Sequence, residues 1–278
     1  MSGYVITLSS IPPRFGRMQL TLEKLVSQTV PADRVIVYLP KTYRRFPDWD
    51  GTLPAVPDGV EIRIVDKDYG PATKLLPALK EFDLKQDILF CDDDMDYPTD
   101  WAAAFLAQRR RQPEACITLC SETFNTPPLR QRKNVQKPRA WCLWGEFDME
   151  QNVRLLVENF GRKYLGWPQR FVGRRRCLLA GYIEIFMGFG GVLVRPEFFD
   201  EDVFDIPPQL QTVDDYWLSG VAAKNGHPAW MIPRRREPTS HPHYAESSLT
   251  DLENSQGGRG NANARAVRYL QDRYGIWL

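Results

Sequence analysis

Residues 88–96 read ILFCDDDMD, an apolar run that passes directly into four carboxylates within five positions. The apolar run predicts a buried β-strand. Alternation along an extended chain then aims Asp92 and Asp94 the same way beyond the strand end. Clustered carboxylates repel one another, and a divalent cation makes such an arrangement favourable. The pattern indicates a Mg²⁺ or Mn²⁺ site, and the alternative is a solvated acidic turn.

The residues before this stretch alternate between β-branched runs and helical patterns. The predicted elements are strands at 4–8, 35–39, 60–65 and 87–90, with helices at 18–27 and 72–82. This order predicts a mainly parallel sheet with right-handed crossovers, flanked by helices, and therefore an α/β protein. Ligands of such sheets bind beyond the carboxyl ends of the strands, where Asp92 to Asp94 are expected to lie.

The pattern loosens after residue 100. It predicts helices at 101–111, 153–164, 214–224 and 264–273, a strand at 115–119, and a buried strand with a glycine turn within 177–194. Residues 121–176 are rich in Pro, Arg and Trp and carry one helical pattern. Such a long segment is typical of an insertion that faces a substrate.

The composition excludes several classes of protein. The 278 residues include 36 Lys and Arg against 35 Asp and Glu, so the net charge of +1 provides no global field to attract nucleic acid. Five cysteines, an odd number without a CxxC pair, favour a reducing compartment. The sequence shows no signal-peptide pattern and no uninterrupted membrane-spanning run, so we expect a cytoplasmic protein.

Two downstream features strengthen the prediction of a metal site at the acidic stretch. Asp214 and Asp215 stand at a predicted helix start, where N-terminal capping is the alternative to a chemical role. His241 and His243 are two of only three histidines and lie in one short segment. They are candidate metal ligands, with a pair of surface histidines as the alternative.

Together these residues resemble the GT-A glycosyltransferases, especially bacterial relatives of the family 2 enzymes. Asp92-Asp93-Asp94 is similar to the family's DxD motif at the end of the fourth strand. Residues 212–215 (TVDD) look like its second acidic motif, with Asp214 in place of the usual Glu. Residues 9–14 (SSIPPR) follow the first strand, where the family's nucleotide contacts begin, and residues 70–75 (GPATKL) are similar to a GPxxK element.

The resemblance implies a metal-dependent enzyme that moves a sugar from a nucleoside-diphosphate sugar, with UDP favoured, to a hydroxyl of a saccharide or lipid-linked saccharide. It also implies inversion with Asp215 as general base beside Asp214, and a role in bacterial surface polysaccharide synthesis. The implied nucleotide-sugar contacts are Ser9, Pro12, Arg14, Lys74, Asp92, Asp93, Gly190 and Gly191. The implied ligands of Mn²⁺ or Mg²⁺ are Asp92, Asp94 and one of His241 and His243.

On this interpretation residues 1–278 form one GT-A-like catalytic domain. Residues 1–100 are the nucleotide-sugar half, and 101–245 the acceptor half with an insertion near 121–176. Residues 246–278 form a tail and a helix. Basic patches at 130–139 and 174–176 predict peripheral association with the inner face of a membrane, with solvated surfaces as the alternative. Arg234 to Arg236 are candidates to reach the diphosphate.

Three other functions are alternative interpretations of the sequence. A sugar-1-phosphate nucleotidyltransferase shares the fold type but carries a glycine-rich loop after its first strand, and residues 9–14 contain no glycine. A phosphatase of the haloacid dehalogenase type needs its nucleophile at the first strand end, where this chain has Ser9 and Ser10. A non-catalytic sugar-binding protein with a degenerate site is the third.

Overall fold

The computed structural model describes residues 3–123, 126–130, 135–143, 148–167, 173–175, 177–240 and 259–278. The strands are β1 (Tyr4–Ser9), β2 (Arg34–Pro40), β3 (Val60–Val65), β4 (Asp87–Phe90), β5 (Met95–Asp96), β6 (Cys116–Thr118), β7 (Trp141–Cys142), β8 (Cys177–Leu179), β9 (Gly181–Ile183), β10 (Val192–Val194), β11 (Ala229–Met231) and β12 (Thr239–Ser240). The α-helices are α1 (Gln19–Val26), α2 (Leu76–Glu81), α3 (Trp101–Arg109), α4 (Pro127–Arg130), α5 (Met149–Leu165), α6 (Asp214–Lys224) and α7 (Arg259–Tyr274).

Eight strands form the central sheet, in the order β3-β2-β1-β4-β10-β6-β11-β9. Six of them run in one direction, and β9 and β10 run against it. Strands β1, β2, β4 and β10 are almost wholly buried, as their continuous apolar runs require. This mainly parallel sheet flanked by helices confirms the predicted α/β fold class.

Two predicted elements differ from those observed. The helix predicted at 72–82 is divided into a 3₁₀ turn, Gly70–Lys74, and α2, because the ring of Pro77 clashes with a helical carbonyl at Thr73. The strand predicted within 177–194 is three short strands: β8 pairs with β7 outside the central sheet, and β9 and β10 lie apart within it. A 3₁₀ turn at Gly188–Gly190 and Gly191, whose φ of +91° suits glycine, interrupt the extended chain between β9 and β10.

Arg109, the first of three consecutive arginines, is buried rather than placed for the helix dipole. Its Nε lies 2.9 Å from Asp87 Oδ1, and its terminal nitrogens donate to the carbonyls of Ala115 and Leu193. This network ties α3 to β4, β10 and the entry to β6. Arg109 therefore has a structural role, through a buried ion pair instead of a dipole effect.

Two short strands extend the architecture beside the acidic stretch. β5, directly after Asp94, pairs antiparallel with β12, so that Met95 lies opposite Ser240 and Asp96 opposite Thr239. The chain segment that leads to His241 is thereby anchored next to the acidic stretch. His241 and His243 themselves lie outside the described residues.

Candidate active site

The acidic residues singled out in the sequence converge at one edge of the sheet. Asp92 to Asp94 follow β4, and Ser10 and Arg14 follow the neighbouring parallel strand β1. Asp214 and Asp215 form the first turn of α6. Lys74, at the end of the 3₁₀ turn after β3, reaches both sets of carboxylates. The carboxyl edge of the parallel strands therefore carries the site, as this sheet topology favours.

Lys74 is the centre of one half of the site. Its Nζ lies 2.8 Å from Asp92 Oδ1, 3.1 Å from Asp214 Oδ2 and 4.0 Å from Asp215 Oδ1, and its side chain is only 5% exposed. Burial lowers its pKa, but the nearby carboxylates of Asp214, Asp92 and Asp215 outweigh that effect and hold the pKa well above its usual range. Lys74 is therefore a permanent cation that joins the two acidic motifs.

Arg14 is the centre of the other half. Its guanidinium lies 2.9 Å from Asp93 Oδ1 and 3.2 Å from Asp94 Oδ2. Residues 93 and 94 form a turn, so the alternation expected of an extended chain does not apply, and both carboxylates contact the same cation. Ser10 donates its hydroxyl to Asp93 Oδ2, and the hydroxyl of Tyr43 donates to the Ser10 carbonyl at 2.8 Å. Asp93, 3% exposed, is thus held from two sides.

The site carries more negative than positive charge. Among the described residues that form these contacts, five carboxylates face two cations, Lys74 and Arg14. Burial, together with Asp93 and Asp92, raises the pKa of Asp94 to about 7 against the effect of Arg14. Burial also raises the pKa of Asp215 to about 8, opposed by Lys74 and reinforced by Asp214. Excess negative charge of this kind is relieved by protons or by a bound cation.

The donor set fits a hard divalent cation that is shared with a ligand. No group of three or more His, Cys, Asp or Glu side chains within the described ranges is arranged to enclose a metal ion. Mg²⁺ and Mn²⁺ are commonly held by one or two carboxylates, with phosphate oxygens and water in the remaining positions. Asp92 and Asp94, whose side chains are 33% and 19% exposed, can supply such a pair.

Three glycines near the site lie where a side chain would clash, each with a different neighbour. At Gly188 a Cβ would lie 2.5 Å from Lys74 Nζ and 3.2 Å from Asp215 Oδ1, and its N–H donates to Asp215 Oδ1 at 3.0 Å. Gly190 packs against Cys120 and Gly191 against the Trp101 ring. Close packing accounts for the last two without a ligand, and their sugar-nucleotide contact remains a prediction.

Several residues of the site were not found by sequence analysis. The hydroxyl of Tyr97 accepts from the N–H of Asp92 at 3.1 Å and donates to the carbonyl of Phe189 at 3.0 Å. Ser10 contacts the acidic stretch, and the contact of Ser9 with a nucleotide sugar stays a prediction. Ser9 ends β1, and Pro12 begins the 3₁₀ turn that carries Arg14. The serine pair itself was a usable signal, because it ends a parallel strand at the sheet edge where ligands bind.

Trp217, on the helix that carries Asp214 and Asp215, lies in the core. Its ring is fully buried, and its Nε1 donates to the carbonyl of Val203 at 2.9 Å. The helical packing that places Asp214 and Asp215 at the site therefore turns Trp217 into the interior.

No protein-family model and no curated protein matches this chain. Among solved structures, S. aureus TarS residues 1–349 is similar over 86% of this chain and 60% of that one, with 12% identity and a TM-score of 0.46. The same TarS segment in complex with UDP is similar over 98% and 71% (12% identity, TM-score 0.45). The crystal structure of a mycobacterial protein is similar over 99% of this chain and 76% of that one, with 11% identity and a TM-score of 0.48. The chain spans 44% of the longer TarS structure. Likeness at this level carries no conclusion about the reaction.

Proposed function

We propose that this chain is a glycosyltransferase of the GT-A type, which uses a nucleoside-diphosphate sugar and a divalent cation. The observation that carries the proposal is the convergence of Asp92, Asp94, Lys74 and Asp215 at the carboxyl edge of β4, with carboxylates in excess. A cation shared between carboxylates and a diphosphate neutralises both. The resemblance noted in the sequence favours UDP as the nucleotide and surface polysaccharide synthesis in bacteria as the setting.

Each charged residue has a distinct part in this proposal. Asp92 and Asp94 would hold Mn²⁺ or Mg²⁺, with His241 or His243 as a further ligand. β12 leads into that histidine segment from Ser240, which lies opposite Met95. When bound, the metal stabilises the negative charge of the departing diphosphate. Lys74 keeps the two acidic motifs at a fixed separation. Arg14 and Ser10 hold the Asp93 turn in place.

Asp215 is the proposed general base, with Asp214 as its neighbour. A base that takes the proton of an acceptor hydroxyl must lie within hydrogen-bond reach of it and have a pKa near the working pH. Burial raises the pKa of Asp215 to about 8, and its Oδ1 is oriented by the Gly188 N–H. Direct attack of the hydroxyl on the sugar, with the diphosphate leaving from the opposite face, inverts the configuration.

The proposal is tested by titrating UDP into the wild-type chain with and without Mn²⁺ in a calorimeter. We expect UDP binding that depends on Mn²⁺ and is lost in Asp94→Ala but retained in Asp215→Asn. A panel of sugar nucleotides with Mn²⁺ then identifies the donor by its hydrolysis. If no nucleoside diphosphate binds with either metal, the transferase proposal is wrong.

Analysis of the reaction products separates the alternatives. A sugar-1-phosphate nucleotidyltransferase releases pyrophosphate from a nucleoside triphosphate, whereas a transferase releases a nucleoside diphosphate. A phosphatase of the haloacid dehalogenase type hydrolyses a phosphomonoester through a nucleophilic carboxylate. A non-catalytic protein binds sugar and leaves every donor intact. Product analysis by ³¹P NMR distinguishes all four.

Contact with an anionic membrane surface is a second part of the proposal, supported by α5. One face of this helix carries Met149, Val153, Leu156, Phe160 and Tyr164 at helical spacing, all at least 56% exposed. Arg162 and Lys163 lie in its last turn. An apolar face with flanking cations is typical of helices that lie in a lipid interface. No described helix is long and apolar enough to cross a membrane.

Vesicle sedimentation tests this contact. We expect binding to vesicles that contain phosphatidylglycerol and loss of binding in Leu156→Glu/Phe160→Glu. The control is Leu20→Glu, at an exposed leucine of α1. Equal sedimentation of the double variant and the control would remove α5 from the proposal.

A further inference from the structure

A cavity of about 260 Å³ lies beside α3, apart from the carboxylates described above. Its apolar lining includes Trp101, Leu119 and Ile232. Leu119 directly follows β6, and Ile232 directly follows β11, which runs parallel to it. The cavity therefore lies at the same carboxyl edge of the sheet as Asp92.

Four arginines also line this cavity, namely Arg175, Arg234, Arg235 and Arg236. Three consecutive side chains of an extended chain point alternately to opposite faces, so they do not normally share a cavity. The backbone of Arg234 adopts φ +59°, in the left-handed region, and its N–H donates to the Cys177 carbonyl at 2.7 Å. This local departure from extended backbone allows the triplet to line one cavity. Such strained residues concentrate at ligand sites.

The charge of the cavity is only partly compensated. Asp100 pairs with Arg235, and Glu150 pairs with Arg236 and lies 3.9 Å from Arg175. No carboxylate of the described residues pairs with the Arg234 side chain. Four guanidinium groups against two carboxylates leave a local charge of +2. A phosphate monoester carries between about −1.5 and −2 at neutral pH, and guanidinium forks bind its oxygens in pairs.

We propose that this cavity binds the phosphoryl group of the acceptor, and that the acceptor is a phosphate ester with an apolar substituent next to the phosphate. The assignment to the acceptor rests on the proposed transferase function, whereas the phosphate site itself does not. The apolar lining suits the substituent, and the arginines suit the phosphate.

The position of the cavity fits an acceptor subsite. In the sheet order, β6 and β11 are two and three strands from β4, which corresponds to about 10–14 Å at ~4.8 Å per strand. One residue links the two sites, since the Tyr97 ring packs 4.4 Å from the Trp101 ring and its hydroxyl bonds to Asp92. With the acceptor phosphate in the cavity, the separation between the cavity and β4 is available to the sugar portion of the acceptor. That portion presents a hydroxyl to Asp215.

Calorimetry with n-octyl phosphate, in the absence of metal and nucleotide, tests the phosphate site. We expect binding to the wild-type chain and at least a tenfold loss of affinity in Arg234→Gln/Arg235→Gln. The control variant, Arg111→Gln/Lys41→Gln, removes the same charge at two exposed residues outside the cavity and keeps full affinity. Circular dichroism melts establish that each variant is folded. Equal affinity of both double variants overturns the proposal.

Two further titrations identify what is bound. Octyl glucoside, which has the same alkyl chain without the phosphate, is expected not to bind, and equal binding of it overturns the proposal. UDP with Mn²⁺ is expected not to displace octyl phosphate. Displacement overturns the acceptor assignment, because the arginines then serve the donor diphosphate. Arginine-dependent binding of octyl phosphate by a chain that does not bind UDP supports the phosphate site while refuting the transferase function.

Discussion

The ammonium group of Lys74 lies directly against the backbone of Gly188, where a Cβ would come within 2.5 Å of Nζ. Lys74 is buried and lies 2.8 Å from Asp92, so a displaced ammonium group would weaken this ion pair. Absence of a side chain at residue 188 is therefore part of the geometry that brings the two acidic motifs together.

Gly188→Ala is expected to displace Lys74 and to weaken Mn²⁺-dependent UDP binding by roughly tenfold, about 1.4 kcal/mol. The overpacked side chain should cost about 1–3 kcal/mol of unfolding free energy. Calorimetry and urea titration measure the two effects. Gly260→Ala is the control, because a Cβ there meets nothing within 4 Å. Wild-type UDP affinity in Gly188→Ala would contradict this account of the glycine.

Asp93 and Asp96 should differ sharply in their contribution to stability. Asp93 is buried between Arg14 and Ser10, so Asp93→Ala leaves a half-buried guanidinium with one partner fewer and should cost about 3 kcal/mol. The Asp96 side chain is half-exposed and 3.8 Å from Lys24, so Asp96→Ala should cost under about 0.5 kcal/mol. Urea unfolding measures both. Similar small losses would show that Asp93 is not a structural carboxylate.

The pH dependence of transfer should report Asp215. A general base acts in its deprotonated form, so kcat/KM should rise about tenfold per pH unit below about 8 and level off above that value. Asp215→Asn should lose transfer and keep Mn²⁺-dependent UDP binding. A rate that does not change between pH 6 and pH 9 would argue against Asp215 as the base.

The stability of the unliganded chain should change with pH in the opposite direction. The folded chain keeps a proton on Asp215 up to about pH 8, whereas the unfolded chain loses it near 3.8. The folded state thus binds more protons between these values, and this group's contribution to stability falls as pH rises through the interval. Asp215→Asn removes that dependence. The melting temperature of Asp215→Asn minus that of the wild-type chain should therefore be higher at pH 8.5 than at pH 5.5. Differential scanning fluorimetry measures this difference. A difference that does not change with pH would contradict the burial of this carboxylate.

Arg109 and Arg111 provide a matched pair within one arginine triplet. Arg109→Met leaves the buried Asp87 with one cation fewer and four backbone carbonyls with a lost donor, and should cost about 3–5 kcal/mol. Arg111 is exposed, so Arg111→Met should stay within about 0.5 kcal/mol of wild type. Denaturant unfolding distinguishes them. A near-neutral Arg109→Met would mean that Arg195, also 2.9 Å from Asp87, suffices alone.

Local sequence patterns predicted most of the elements that carry the site. The apolar runs of β1, β2 and β4 have the composition of buried parallel strands, β3 alternates apolar with charged residues and lies at the sheet edge, and α6 begins at the predicted Asp214. These predictions succeeded because periodicity and strand composition depend on neighbours within a few residues. The division of the predicted 72–82 helix was also readable from Pro77, whose effect on the preceding turn is local.

The sequence by itself determined the α/β class, the acidic stretch after β4 and the carboxylates at the start of α6, because each depends on short-range pattern. Only the tertiary structure decided which cation meets which carboxylate. Lys74 joins residues 92, 214 and 215 across more than a hundred positions, and Arg14 rather than strand alternation orients Asp93 and Asp94. The placement of three arginines in one cavity depends on a single left-handed residue, Arg234. Long-range electrostatics and close packing are properties of the assembled chain, and no local pattern encodes them.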